Sequence, residues 1–346
     1  MSNLFLVYAL IFLGSLSNKK AVHQIIIFIL AFFFSTRNES VPDTVSYIYK
    51  YDNSFMTLLN ENLEFGLSFL SYLCNDLIGF SFQTFLFLLT FILLEIWYFT
   101  TIKLFPKGDI GRLFLLFMSY YGFFYLGIAL GNAIALMICY VALAIILLKK
   151  KHALLWCIAL ISAGILFHKS SVLFFLIIPF LKINISKRMI TIWLCISVLL
   201  LFTSSMSILN NILSVFESYS EDYKEYSNYS EEKGGSFLTI TLLMDIVIIA
   251  TVIYGRSFVE KSLYKIYDFY LKMVMIGFSL YCMFWKLTGV TRLSGLFFFY
   301  SFILFYMLIQ NNATNYSKDK RTVLTIYVSF FYFFVLVYSQ SGLLAY

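Results

Sequence analysis

Three short segments, each at the end of a long apolar run, offer cations, and two of them also offer a proton acceptor. The first is Arg37-Asn38-Glu39-Ser40-Val41-Pro42-Asp43, which leads into Tyr47, Tyr49 and Tyr51. The second is Phe167-His168-Lys169-Ser170-Ser171, and the third is Lys286-Leu287-Thr288-Gly289-Val290-Thr291-Arg292. An arginine fork holds two oxygens at once and suits a diphosphate. Histidine takes up a proton near neutral pH, and a carboxylate such as Asp43 can serve the same purpose. A charge at bilayer depth costs ~2.5–3.5 kcal/mol on insertion scales, less near the interface, so charges at these helix ends call for a reason. Gathered in one pocket, the three segments would suit an anionic, lipid-linked substrate.

Each segment also has a plain structural explanation. Arg37 can snorkel, and Asp43 can cap a helix opening at Thr44, because Pro42 turns the preceding chain away from helical geometry. His168-Lys169-Ser170-Ser171 can be a helix-ending turn that faces water. Lys286 and Arg292 can anchor to lipid phosphates. Glu95, Asp245 and Asp268 lie in or at the ends of apolar runs, but no Asp/Glu/His ladder joins them into an ion path. His23 and His152 read as structural, and Gly127-x-x-x-Gly131 is a helix-packing pattern.

The elements that must position these residues are membrane helices. The chain has 346 residues, of which 61% are hydrophobic and only 12% charged. Soluble domains carry about 25% charged residues, so a soluble domain is excluded. The net charge of +7 lies in short loops and helix ends, which argues against nucleic acid as a partner. The five cysteines are scattered without metal or disulfide spacing. No Walker motif, nucleophile elbow, HExxH or dinucleotide fingerprint is present, so neither metal nor cofactor is expected. The first apolar run lacks a basic leader and is not a good signal peptide.

Hydropathy marks about twelve spans in an all-α polytopic membrane protein: 3–17, 21–36, 82–102, 112–130, 132–148, 153–168, 170–182, 189–207, 236–255, 266–286, 293–310 and 322–344. The seventh is short and contains Pro179, so it is expected to tilt, bend or span only in part. Every second gap is rich in Lys and Arg, from Lys19-Lys20 through Lys149-Lys150-Lys151 to Lys318, Lys320 and Arg321, and these gaps are assigned to the cytoplasm. Arg37, Lys50, Lys169, Lys224, Lys233, Lys286 and Arg292 then face outward, and both termini lie outside. Lys272 is inside a helix and is expected to snorkel. Two outer loops are long, residues 37–81 and 208–235. Tyrosines among carboxylates give both a sugar-binding composition, although 208–235 also reads as a solvated loop. The stretch 63–80 is apolar but interrupted by Asn75, Asp76 and two glycines, which suits an interfacial or re-entrant helix. No repeat or separate domain is visible, so residues 1–346 are taken as one integral membrane domain.

In order and spacing these residues resemble the bacterial EpsG/Wzy type of polysaccharide polymerase over most of the chain. The resemblance rests on Arg37, Asp43, Tyr47 and Tyr51; on the basic turn Lys149–Lys151 followed by an apolar helix and Phe167-His168-Lys169-Ser170; and on Arg292 before Phe297, Phe298, Phe299 and Tyr300. The family often has Arg-Gln before a small-residue helix, where this chain has Gly131-Asn132, so one phosphate-binding cation is replaced, with Lys169 or Lys286 as substitutes. The resemblance implies a bacterial inner-membrane enzyme with a periplasmic active face. It would polymerise oligosaccharide repeats, O-antigen first among them, carried on undecaprenyl pyrophosphate. Membrane lipid and a chain-length regulator would be its further partners. Arg37 and Arg292 would neutralise the departing pyrophosphate, His168 or Asp43 would accept a proton, and Tyr47 and Tyr51 would contact sugar. An O-antigen ligase at the same face and a lipid-linked glycan flippase are the rival readings. A flippase would want polar groups at mid-membrane depth and repeated halves.

Overall fold

The fold is a computed structural model that describes residues 2–17, 19–56, 65–203, 240–285, 288–310 and 317–339. Every regular element among them is helical. Six helices are long and apolar enough to cross a membrane: Phe82–Leu104, Ile110–Gly127, Leu130–Leu147, Tyr264–Phe284, Leu293–Gln310 and Asp319–Ser339. The protein is therefore a multi-pass membrane protein. The count falls short of the twelve that hydropathy suggests because several apolar helices are short: Asn3–Ser15, Lys20–Ser35, Ala153–Phe167 and Lys169–Phe180. A 16-residue α-helix reaches only about 24 Å, against a hydrocarbon core of about 30 Å. The long loop expected over 208–235 lies outside the described residues.

Helix surfaces carry the mark of a lipid solvent. On α2 (Lys20–Ser35), Ile26, Ile27, Leu30 and Phe34 are buried while Ile25, Phe28 and Phe32 are exposed at spacings of three and four. The last helix exposes Tyr327, Phe330 and Phe334 in the same way. Large apolar side chains ranked along a helix face are unfavourable in water and ordinary against hydrocarbon.

The chain forms two compact units, Met1–Phe175 with Thr322–Tyr346, and Leu176–Arg321. In the first, α1 (Ser2–Ser15) packs on α2 and on α6 (Ile110–Phe117). Further pairs are α2 on α5 (Phe82–Leu104), α5 on α8 (Leu130–Leu147), and α8 on α9 (Ala153–Phe167). Ser81 caps α5 by accepting from the Thr84 amide, and Asp109 caps α6 by accepting from the Arg112 amide. A π-turn, Met118–Gly122, joins α6 to α7 (Phe123–Gly127) within the single apolar helix Ile110–Gly127. It turns Ser119 toward Ser329 of the final helix, Oγ to Oγ 2.6 Å, while the Tyr8 ring stacks on Phe333 at 4.0 Å. His23 is buried, with Nε2 at 2.8 Å from the Ser17 carbonyl oxygen, as expected of a structural histidine.

α1 and α6 meet closely enough to require glycine. A Cβ on Gly111 would stand 2.5 Å from the Ser15 carbonyl oxygen, and neither backbone can yield cheaply. Gly111→Ala should therefore destabilise the first unit by about 1–3 kcal/mol, the usual cost of overpacking. Thermal unfolding of the purified protein should register this as a lowered Tm; an unchanged Tm would mean that the two helices do not meet in this way.

The segment 170–182 differs from an α-helical span. Lys169–Phe180 is a 3-10 helix containing Pro179. At ~2.0 Å per residue its twelve residues extend about 24 Å, where an α-helix would give about 18 Å. In the second unit, Lys272 does not snorkel: it is buried and donates to the Phe180 carbonyl at 2.7 Å, capping that helix. There α12 (Tyr264–Phe284) is central, with α10 (Lys187–Thr203), α11 (Ile240–Gly255), α13 (Thr288–Phe298) and α14 (Ser301–Gln310) against it. Asp268 at its start holds Arg256 by two hydrogen bonds, 2.6 and 2.8 Å.

Candidate functional site

Arg37 follows the end of α2 and turns inward. Its residue is only 6% exposed, so it does not snorkel. Nη1 donates to the Gly127 carbonyl at the C-terminus of α7, 3.2 Å away, and the guanidinium lies 5.3 Å from the centre of the Tyr47 ring. A helix C-terminus and an aromatic face both favour a cation. They leave it incompletely satisfied: Nε and Nη2 are buried without a hydrogen-bond partner. A buried guanidinium with unmade hydrogen bonds is expensive, and an incoming anion would relieve that cost.

The chain between Arg37 and Tyr47 is a tight turn. Asn38 Oδ1 accepts from the Ser40 amide, and the Val41 and Thr44 amides close successive turns. Asp43 is exposed and sits in the left-handed region with φ 64°, which Asp tolerates better than most residues. It occupies the N-cap position of α3 (Thr44–Asp52), yet its side chain makes no capping bond. The simple capping explanation of Asp43 thus fails in its particulars. Thr44, one turn before Tyr47, is fully buried with its hydroxyl unpartnered.

α3 folds back on α4 (Phe65–Tyr72), which runs into a π-turn over Leu73–Leu77; the helix expected in 63–80 is present as these two pieces. Tyr51 belongs to the core of this hairpin. It is buried, stacks near Phe82 and Phe85, and donates its hydroxyl to the Phe80 carbonyl at 2.8 Å. Burial, with Cys74, Asp52 and Asp76 adding to it, pushes its pKa up to about 12, so the phenol stays a donor. Tyr51 is thereby committed to the fold, and the tyrosine left for a ligand is Tyr47.

His168 stands at the C-terminus of α9, half-buried and in extended backbone, and Lys169 opens the 3-10 helix. Contacts on two sides help to hold this turn. Ser170, buried, directs its hydroxyl to Asn132 Oδ1 at 3.4 Å in the first turn of α8. The Phe167 ring lies against Gly66 of α4, where an added Cβ would come within 2.8 Å of it. Asn132, a departure from the family pattern when read in sequence, is therefore part of the scaffold that holds the His168 turn. Tyr47 and Leu130, which opens α8, border one small pocket. Arg37 thus meets Tyr47, Tyr47 and Leu130 border the same pocket, and Asn132 of α8 meets Ser170 of the His168 turn.

A family model described as the EpsG family matches residues 20–346. The chain belongs to the EpsG family. The family consists of Wzy-type polysaccharide polymerase-like proteins, so this member is glycosyltransferase-like in general terms. No curated protein and no solved structure matches it. Within this EpsG-family chain, Arg37, Asp43, Tyr47, His168 and Lys169 all belong to the first unit, and Arg37 and Tyr47 are in direct contact. Arg292 belongs to the second unit, in α13, with its side chain outside the described residues; Lys286 lies outside them altogether. Sequence reasoning missed Thr44 and the pocket residues Lys50, Ser68 and Ser71. Serines one helical turn apart on α4 carry no motif; only burial distinguishes them.

Proposed function

We propose that this EpsG-family protein polymerises oligosaccharide repeat units, O-antigen units in the first instance, carried on undecaprenyl pyrophosphate at the periplasmic face of the bacterial inner membrane. The observation that carries the reading is the buried Arg37 guanidinium, held by Gly127 and Tyr47 with Nε and Nη2 unpartnered. In the reaction, an acceptor sugar hydroxyl attacks the anomeric carbon of the growing chain. The bond from that carbon to the pyrophosphate oxygen breaks, and its electron pair leaves with the lipid pyrophosphate. His168 accepts the hydroxyl proton, with Asp43 as the alternative base. Arg37 stabilises the charge that develops on the leaving group, and Arg292, Lys169 and Lys286 are its proposed helpers. In this reading the chain makes about twelve crossings with Lys- and Arg-rich turns in the cytoplasm, which puts Arg37, His168 and Arg292 on the outer side. The polar groups then gather at one membrane face, which suits an enzyme better than a flippase.

Pathway position tests the proposal directly. A strain lacking the gene should accumulate lipid A-core capped with a single repeat, seen as collapse of the lipopolysaccharide ladder to one band above core. Bare core would instead assign the protein to ligation or export.

A further inference from the structure

Thr44 carries a polar group that the fold leaves unused. It is the first residue of α3, is fully buried, and its hydroxyl has no hydrogen-bond partner. The carbonyls one turn back belong to Ser40 and Val41, both described. The Val41 carbonyl takes the Thr44 amide, and neither takes the hydroxyl. A buried hydroxyl without a bond is a cost to the fold and calls for an explanation. A second group short of partners stands at the other end of the same turn. Arg37 is buried with Nε and Nη2 unpartnered, and no carboxylate among the described residues pairs with it. Tyr47 links the two. Thr44 and Tyr47 are three residues apart on α3 and share a helix face, and the Arg37 guanidinium lies 5.3 Å from the centre of the Tyr47 ring. The N-terminus of a helix adds a preference for negative charge, and here Asp43 gives the first amides no side-chain cap. A guanidinium fork, a hydroxyl and an uncapped helix N-terminus are the donors a phosphoryl group takes.

Building on the proposed polymerase reading, we infer that the Thr44 hydroxyl is a second ligand of the lipid diphosphate that Arg37 takes, donating a hydrogen bond to one of its phosphoryl oxygens. Arg37 supplies the charge, and Thr44 fixes where one oxygen sits, which orients the leaving group. Both side chains are covered, while the chain between them, residues 38–43, is exposed except at Val41. The diphosphate therefore enters by displacing that turn, and the Asp43 side chain makes no capping bond that would resist this.

The test uses the full-length protein in nanodiscs, with undecaprenyl pyrophosphate as the probe. Thr44→Val keeps the branched shape and removes the hydroxyl. Its affinity for the probe should weaken on the order of tenfold. Its Tm without the probe should equal or exceed that of wild type, because an unpartnered buried hydroxyl has gone. Thr44→Ser keeps the hydroxyl and should bind near the wild-type value. Wild-type affinity in Thr44→Val would overturn the inference. A lowered Tm in Thr44→Val would also overturn it, by making the hydroxyl a structural group. So would equal weakening in both variants, which would show that shape and not hydrogen bonding matters. The loss should be the same in zwitterionic nanodiscs and in nanodiscs containing phosphatidylglycerol; a loss seen only without the anionic lipid would assign the hydroxyl to a phospholipid phosphate instead. The polymerase reading fails separately: it is contradicted if Arg37→Met binds undecaprenyl pyrophosphate as wild type does.

Discussion

Arg37→Met should abolish long-chain polymer without weakening the fold. The guanidinium is buried, receives no carboxylate among the described residues, and leaves two nitrogens unpartnered. Replacing a buried ion whose hydrogen bonds are incomplete by an apolar side chain of similar length is commonly neutral or stabilising. A group whose purpose is to neutralise a leaving pyrophosphate behaves differently in catalysis. Removing one such donor costs on the order of 10²–10³ in rate. The expected pair of results is a ladder reduced to single repeats together with a Tm equal to or above that of the wild type. Arg37→Lys adds a second dimension. It keeps the charge but loses the planar fork and the stacking on Tyr47, so most activity should go with it. If Arg37 were only a structural strut between Gly127 and Tyr47, Arg37→Met would lower Tm and whatever protein folded would still polymerise. That outcome would remove the pyrophosphate role.

Much of this arrangement is legible in the sequence, for identifiable reasons. Few charges point to a membrane, and apolar runs of helix length point to helices as the spanning elements. Arg37, Tyr47 and His168 stand out because charged or polar groups beside apolar runs are rare and conspicuous. What hydropathy does not display is backbone winding. Pro179 marks 170–182 as a bent or partial span, but its letters do not give the 3-10 winding of Lys169–Phe180, nor do those of Met118–Gly122 give a π-turn. Tyr47 and Tyr51 look alike in sequence, four residues apart on α3. Only the packing of Phe80, Phe82 and Phe85 makes Tyr51 part of the core and leaves Tyr47 beside the cation. Lys272 likewise reads as a snorkelling residue until the Phe180 carbonyl appears as its partner. Partners distant in sequence are what a single chain of letters does not display.

His168→Gln should stop polymerisation in a stably inserted protein, whereas Asp43→Asn should leave a ladder. A general base must be held where the proton leaves, and positioning accounts for much of its value. The His168 turn is held from two sides, by Ser170 on Asn132 and by Phe167 against Gly66. Asp43 is exposed, and its side chain makes no capping bond to fix it. Glutamine retains hydrogen-bonding capacity at position 168 but cannot take up a proton, so a fall of about 10²–10⁴ in turnover is expected if the proton goes there. Asparagine at position 43 tolerates the left-handed backbone as well as aspartate does, so any loss in Asp43→Asn would reflect chemistry and not a distorted turn. Both variants are assayed after their abundance in the membrane is matched to wild type, by the length distribution of the polymer and by turnover of the extracted lipid-linked repeat. The reverse pattern, a surviving ladder in His168→Gln and single repeats in Asp43→Asn, would transfer the base to Asp43. Polymerisation at the wild-type rate by both would exclude both groups and leave the acceptor proton to a group outside this pair.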